Sequence, residues 1–398
     1  MLIEIHILQN HAPSNLNRDD TGSPKECVFG NVKRARISSQ CLKRSIRRSE
    51  LFRQALAGHL ATRTRRLPEL VQKNLLARGL EPALAAIAEK KASGFGTKEG
   101  TERDELNTAQ TMFLTDADIA AVADVLYAKA MEVSTPAKFE KIAAKDLQAA
   151  AQQAGFRPVS VDVALFGRMT TSEAFRDVEA ACQVAHALST HKVDHEYDYF
   201  TAVDDLKEDA AGSDQEEDAG ADMLGDVEYN SACYYKYFSV DLDGLIRNLS
   251  GEKMGRKAVP EDEVREARAL AAQAVEAMLK AAVMTTPTGK QNSFAAHQLP
   301  AAVLVEVRPV PSPVSYANAF VAPARAAGKE DLVSVSLEKF RAHVEALTSG
   351  FNLPTTARFL LAPEHRDVKI AEVEPVTDLK TLCTLLRTAM EAGAEVRA

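Results

Sequence analysis

The 398-residue chain reads as an α+β protein, and three observations carry that reading. Short stretches with a period of two alternate along the chain with longer stretches at helical spacing. Two segments interrupt the alternation with compositions of their own, an Ala/Leu/Lys/Glu-rich run over 59–155 and an acidic run over 195–228. A composition 46% hydrophobic and 26% charged suits a globular chain with a sizeable core.

Ile3, Ile5 and Ile7 alternate with Glu4 and His6, so residues 2–8 are expected to form a half-buried strand. Gln9 to Arg36 is polar, broken by Pro13, Gly22, Pro24 and Gly30, and reads as a long connection. Ser38-Ser39 introduces a helix, with either serine able to cap it. Residues 59–155 read as a helical insertion. Arg157 to Phe166 alternates again and predicts a strand, ended by Gly167-Arg168-Met169, with a helix from about Ser172 to Leu188 after it. Residues 195–228 hold 13 Asp/Glu against the single Lys207, a composition expected of a mobile loop tip. A strand over 229–242, an amphipathic helix over 262–282, a short apolar strand from Ala301 to Arg308, and helices near 335–349 and 377–392 complete the chain. Strands separated by helices in this way suit the α+β core of RNA-recognition modules.

The net charge of −8 argues against a nucleic-acid partner only as an average. Residues 1–66 carry 13 Lys/Arg and 5 Asp/Glu, a net +8, and the remainder a net −16. Phosphate is bound by local clusters, so the basic N-terminal segment is where an anionic partner belongs. No run approaches the roughly 18 apolar residues of a membrane span. The N-terminus shows neither a basic leader nor a small-residue cleavage site, and a cytoplasmic chain without membrane contact is expected. Cys27, Cys41, Cys182, Cys233 and Cys383 are scattered, with no C-x-x-C pair, which argues against a disulfide framework and a cysteine zinc site.

On the helix opening at Ser39, the side chains Gln40, Lys43, Arg44, Arg47 and Arg48 fall within an arc of about 140°. Cys41, Leu42, Ser45, Ile46 and Ser49 take the other side. An isolated basic stripe ordinarily faces water. Here it adjoins a helix N-terminus, whose free N–H groups and dipole attract phosphate, and follows Lys33, Arg34 and Arg36.

Several blocks then match a known family. They are Asn15 through Lys25, Arg34 through Gln40 with Lys43-Arg44, Gly167 through Ser172, Tyr199 through Leu206, and Pro287 through Gln291. Together they resemble the CasC backbone-subunit family of type I-E CRISPR surveillance complexes (Cascade). The resemblance implies an RRM-like (ferredoxin-like) palm with a helical fingers insertion and a thumb hairpin. The implied division is palm at 1–58, fingers at 59–155, palm at 156–190, a thumb with acidic loop at 191–228, and palm with C-terminal helices at 229–398. It further implies several copies head-to-tail along the CRISPR RNA spacer, kinking it at intervals and leaving bases free to pair with target DNA. The implied partners are CRISPR RNA, target DNA, further copies of the chain and other Cascade subunits, with no cofactor.

Residue by residue, Arg18, Lys25, Ser38, Gln40, Lys43 and Arg44 align with positions that contact the RNA backbone. That agrees with their chemistry, Arg and Lys for phosphate, Ser and Gln for phosphate or 2′-OH. Met169 and Leu224 align with apolar residues beside the displaced base, and Phe200 with a thumb aromatic near the kink. Lys138, Lys141 and Lys145 recur at near-helical spacing and are candidates for contact with target DNA. Two departures stand out: an acidic stretch Asp209–Asp222 longer than the family's, and Tyr199 where the family carries Trp.

Other function classes fare less well. Related backbone subunits of type III complexes cleave RNA with an acidic residue, which brings Asp19, Asp20, Asp204 and Asp205 into consideration. Adjacent carboxylates tend to point apart rather than converge on a metal, so no catalytic residue is expected. His191 and His195 would share a face if their segment were helical, but no third ligand follows, so they read as surface histidines, and no metal site is expected. His6, His11, His59 and His186 show no pairing in the sequence. A monomeric RNA-binding protein would show the same basic helix, but not the ordered blocks.

Overall fold

The computed structural model describes residues 1–153, 158–202, 223–254, 256 and 258–395. Two units make up the chain. The first comprises Met1–Leu2, Glu50–Gln183 and Val240–Ala277, and the second Ile3–Ser49, Val184–Ser239 and Met278–Ala398.

A mixed sheet lies mainly in the second unit. Its first three strands are Leu2–Ser14 (β1), Glu26–Phe29 (β2) and Val32–Ile37 (β3), with the helix Ser39–Arg48 (α1) directly after them. Across the sheet the order is Glu374–Val376, Ala357–Leu361, Ala302–Arg308, β1, Met223–Asp241, Ala187–Ser189, β3, β2. Glu374–Val376 lies parallel to its neighbour, whereas Ala302–Arg308 with Ala357–Leu361, and β2 with β3, are antiparallel. The helix Leu332–Gly350 lays Leu337, Phe340 and Val344 against Leu8, Tyr235, Tyr237 and Leu304 from the strands. Each such side chain withdrawn from water contributes about 1.5–3 kcal/mol.

β1 is buried on both faces, so the half-buried strand expected from its alternation is corrected. Its polar row survives burial because partners stand opposite. Arg308 pairs with Glu4 and with Glu306 (3.0 Å), Arg358 donates to Glu306 (2.7 Å), and Tyr237 donates to Glu4 (2.5 Å). His6, which showed no pairing in the sequence, lies 3.2 Å from Glu306 and 2.8 Å from the Tyr235 hydroxyl. Two guanidinium charges thus face two carboxylates, the pairing a buried charge requires.

Four further expectations change. The connection from Gln9 to Arg36 contains the end of β1 and all of β2 and most of β3, because backbone pairing accepts polar residues when their side chains find partners. The alternating stretch ending at Phe166 is a helix over Val161–Phe166, with Arg157 outside the described residues. Asp162 anchors it by accepting from the Ala61 N–H (2.8 Å), and six residues are too few to separate the two periods. Between Ser172 and Leu188 there are turns and the short strands Cys182–Val184 and Ala187–Ser189, since Leu188 pairs with Tyr235. Within 195–228, Glu196–Ala202 and Met223–Tyr229 form an antiparallel ladder, Glu196 opposite Tyr229 and Ala202 opposite Met223. The acidic stretch Asp209–Asp222 and the residues Asp204, Asp205 and Lys207 lie outside the described residues.

In the first unit, the helices Leu67–Ala77, Pro82–Ser93, Asp116–Val133 and Ala144–Gln153 pack around Leu75, Phe95, Val122, Leu126 and Leu147. Lys91 is buried among them and donates to Glu102 and to the carbonyls of Glu140 (3.0 Å) and Ile142 (2.6 Å). Thr62–Thr64 pairs with Met112–Leu114 beside the helices. No described helix is long and apolar enough to cross a membrane.

Candidate nucleic-acid interface

α1 begins where Ser38 caps it, its hydroxyl accepting from the Cys41 N–H (3.3 Å). No acid stands in the first turn, so the positive end of the helix dipole is not neutralised. Leu42 and Ile46 bury one side. The basic arc divides into two rows. Gln40, Arg44 and Arg48, four apart, are exposed, whereas Lys43 and Arg47 are half-buried and already engaged within the protein.

The loop from Asn15 to Lys25 closes against this helix. The Asn17 side chain accepts from the Ser38 N–H (2.8 Å), and the Asn17 carbonyl accepts from the Lys25 N–H (2.9 Å). Asn15 donates to the carbonyls of Gly22 and Glu228, 2.9 Å each, tying the loop to the base of the Glu196–Ala202/Met223–Tyr229 ladder. Asp19 shapes the turn by accepting from the N–H groups of Thr21 and Ser23 (3.0 Å each) and the Thr21 hydroxyl (2.8 Å). These bonds, the Thr21 hydroxyl first, hold its carboxyl below the usual range. The turn thus takes up Asp19, and Asp20 beside it is exposed.

A third segment completes the site. Gly289 approaches so closely that a β-carbon there would sit 2.4 Å from the Leu16 carbonyl oxygen and 2.7 Å from that of Asn15. Only glycine admits this approach. Together the three segments enclose a cleft of about 910 Å³ lined by Arg18, Arg44 and Arg48, by Asp19 and Asp20, and by Thr285, Thr286 and Thr288. Three arginines outweigh two aspartates, and none of the three makes an ion pair among the described residues. Such a lining offers charge for phosphate and hydroxyls for phosphate or 2′-OH.

Of the residues expected from the sequence, Arg18 and Arg44 line the cleft. Lys25 and Ser38 brace it, Ser38 nearly buried, and Gln40 stands exposed at the start of α1. Arg48 and the three threonines were not among the expected contacts. The signal for Arg48 was its place in the basic arc of α1, and that for the threonines was the Thr- and Gly-containing segment following the long helix Glu261–Met284. The cluster upstream of α1 proves structural. Arg34 is fully buried and donates to the carbonyls of Phe29 (3.1 Å), Ser189 (3.1 Å) and Phe320 (2.8 Å). Lys33 pairs with Glu26 (3.0 Å), and Arg36 bonds the Glu26 carbonyl and His186.

In the ladder, Phe200 lies opposite Gly225, where a β-carbon would meet the ring at 2.4 Å, and it is 42% exposed. Leu224 pairs with Thr201 one position along, and its side chain lies outside the described residues. Tyr199 is 75% exposed. His191 and His195 are not on a helix. His191 accepts from the Cys233 N–H (3.3 Å), and His195 lies near Glu26 (3.4 Å) and Glu228 (3.6 Å), so both are half-buried rather than surface histidines.

The remaining expected residues belong to the first unit. Met169 is 94% exposed on the turn after Gly167. Lys138, Lys141 and Lys145 are exposed but do not share one helix, because Pro136–Glu140 ends before Lys141 and Ala144–Gln153 begins after it.

Among the described residues, Glu4, His6 and Glu306 bring three metal-type ligand atoms together. Arg308 and Arg358 already occupy the carboxylates, and a divalent cation would add charge beside two guanidiniums. Burial alone would raise the Glu306 carboxyl, but His6, Arg308 and Arg358 outweigh it and hold the value at about 2. Within the sheet, burial brings the Lys236 ammonium down to about 8, and Gln9 accepts from it. Burial, then the Lys236 charge, lowers His11 to about 3.

The family described as CT1975-like protein matches residues 3–387. A chain of a solved structure titled "CRISPR RNA-guided surveillance complex, pre-nicking" is 27% identical, with a TM-score of 0.79 over 99% of this chain and 100% of that one. Another, titled "CRISPR RNA-guided surveillance complex", is 22% identical, with a TM-score of 0.57 over 98% and 100%, and speaks to fold alone. No curated protein sequence matches. These findings agree with the resemblance carried by the sequence blocks.

Proposed function

Because the chain belongs to the CT1975-like protein family, we propose that it is an RNA-binding backbone subunit of a CRISPR RNA-guided surveillance complex. The observation that carries this reading is the convergence of Asn15–Lys25, α1 and Thr285–Gly289 on one arginine-lined cleft. The guanidinium and hydroxyl groups of that lining suit phosphate and ribose. A protein that grips the backbone leaves the bases free to pair with a second strand.

In this reading the sheet of the second unit is an RRM-like palm, the helices of 59–155 are fingers, and the Glu196–Ala202/Met223–Tyr229 ladder is a thumb. Copies associate head-to-tail along the guide. Arg18, Lys25, Ser38, Gln40, Lys43 and Arg44 hold the sugar-phosphate chain, with Arg48 added to them. Met169, Phe200 and Leu224 stand beside displaced bases, and Lys138, Lys141 and Lys145 face target DNA. The subunit holds RNA without cleaving it, a role supported by the commitment of Asp19 to its own turn. The chain works with other subunits of the complex in the cytoplasm.

Native mass spectrometry after co-expression with a CRISPR array and its neighbouring genes tests the proposal. Several copies on one RNA, rising in number with spacer length, are expected. An RNA-free monomer would refute it.

A further inference from the structure

We propose that Arg168 and Asp118 are positioning residues, a buried ionic anchor that presents Met169 to nucleic acid as a preset apolar peg. This rests on the reading of Met169 as an RNA contact. Exposure alone says little, since single apolar side chains are common at surfaces. What distinguishes Met169 is how firmly its backbone is held on both sides.

Before it, Gly167 takes a left-handed φ of +81°, and a β-carbon there would lie 3.1 Å from the Val178 carbonyl oxygen. The Arg168 N–H donates to the Val178 carbonyl (3.0 Å), and the Val178 N–H donates back to that of Arg168 (2.8 Å). After it, the Thr170 N–H donates to Asp177 (2.7 Å), and Gln110 donates to the Thr171 hydroxyl (3.1 Å). The Arg168 guanidinium locks this turn to the helical core. Its Nη1 donates to Asp118 Oδ2 (2.9 Å) and the Phe113 carbonyl (3.2 Å), its Nε donates to the Arg176 carbonyl (3.2 Å), and its Cζ lies 5.9 Å from the centre of the Phe175 ring.

Asp118 serves twice. It closes the capping box of Asp116–Val133 with Thr115 and takes the Arg168 charge. Both side chains are nearly buried, at 9% and 4% exposure. A buried ion pair is often no more stabilising than apolar residues of the same volume, and its best-attested use is to fix one conformation. Here the conformation fixed is a turn with a bare methionine at its apex, which lowers the ordering cost of a contact made there.

The test uses the complex assembled on guide RNA carrying 2-aminopurine at successive spacer positions, whose fluorescence rises where a base is unstacked. Met169→Ala is expected to lower the raised positions about twofold or more. The double variant Asp118→Asn with Arg168→Gln leaves neither charge buried alone. It is expected to lower the same positions about as far, with copy number unchanged. A merely structural role would lower the melting temperature and leave the fluorescence pattern intact. That pattern, intact in the double variant but lost in Met169→Ala, overturns the positioning role and leaves the Met169 contact standing. An intact pattern in Met169→Ala overturns both. If the double variant does not assemble, Arg168→Lys, which keeps the charge but not the fork of donors, carries the same comparison.

Discussion

Replacing Arg44 and Arg48 with glutamine removes two of the three arginines lining the cleft. Both side chains are exposed and neither makes an ion pair among the described residues, so the fold should be untouched. Each phosphate contact to a single strand contributes about −0.7 to the slope of log affinity against log salt. The three cleft arginines therefore contribute about −2.1 per copy to the slope, and the double variant keeps about −0.7 of that share. Between about 50 and about 200 mM salt, the wild type should lose about sevenfold more affinity than the variant. Fluorescence anisotropy with a labelled single-stranded RNA, titrated at several salt concentrations, reads this slope directly. An unchanged slope in a variant with normal circular dichroism would refute the assignment of phosphate contacts to this face. Arg34→Met is the contrasting control. It strips donors from the carbonyls of Phe29, Ser189 and Phe320, should cost at least about 3 kcal/mol of stability, and belongs to folding rather than to the salt slope.

Gly289→Ala should separate the cleft's walls, because a β-carbon 2.4 Å from the Leu16 carbonyl oxygen forces one backbone to move. A loss of about 1–3 kcal/mol in thermal or urea unfolding is expected, together with weaker RNA binding. Acid should also unfold the protein by a calculable route. His11 is at about 3 in the folded chain against an ordinary 6.5, so its stabilising share is complete above pH 6.5. As pH falls below that value the unfolded chain takes up a proton the folded chain refuses until about pH 3, and stability drops by up to about 1.4 kcal/mol per pH unit. Glu306, at about 2 against 4.5, adds loss in the same direction as pH falls from 4.5 towards 2. Urea unfolding at stepped pH measures the slope, and His11→Asn should flatten it by about one proton between pH 6 and 4.5.

Local pattern determined much of this protein. The apolar stripes of Glu261–Met284, Leu332–Gly350 and Leu379–Glu395, the strand Ala302–Arg308, and the capped basic helix Ser39–Arg48 were legible because each is written within a few turns of its own sequence. Short elements were not. Val161–Phe166 is a helix fixed by Asp162 and Ala61, and Ala187–Ser189 is a strand because Tyr234 and Tyr235 lie beside it. Charge alone could not sort the arginines either. Arg34 and Arg44 are ten positions apart in one basic segment, yet the first is enclosed by carbonyls and the second faces the cleft. Periodicity likewise marked Glu4 and His6 as the polar side of a strand without showing that Arg308, Glu306 and Tyr235 would cover it. The sequence records which face of an element is apolar or charged. Which distant segment meets that face, as Gly289 meets Leu16, is decided only when backbone approach and hydrogen-bond partners are settled in three dimensions.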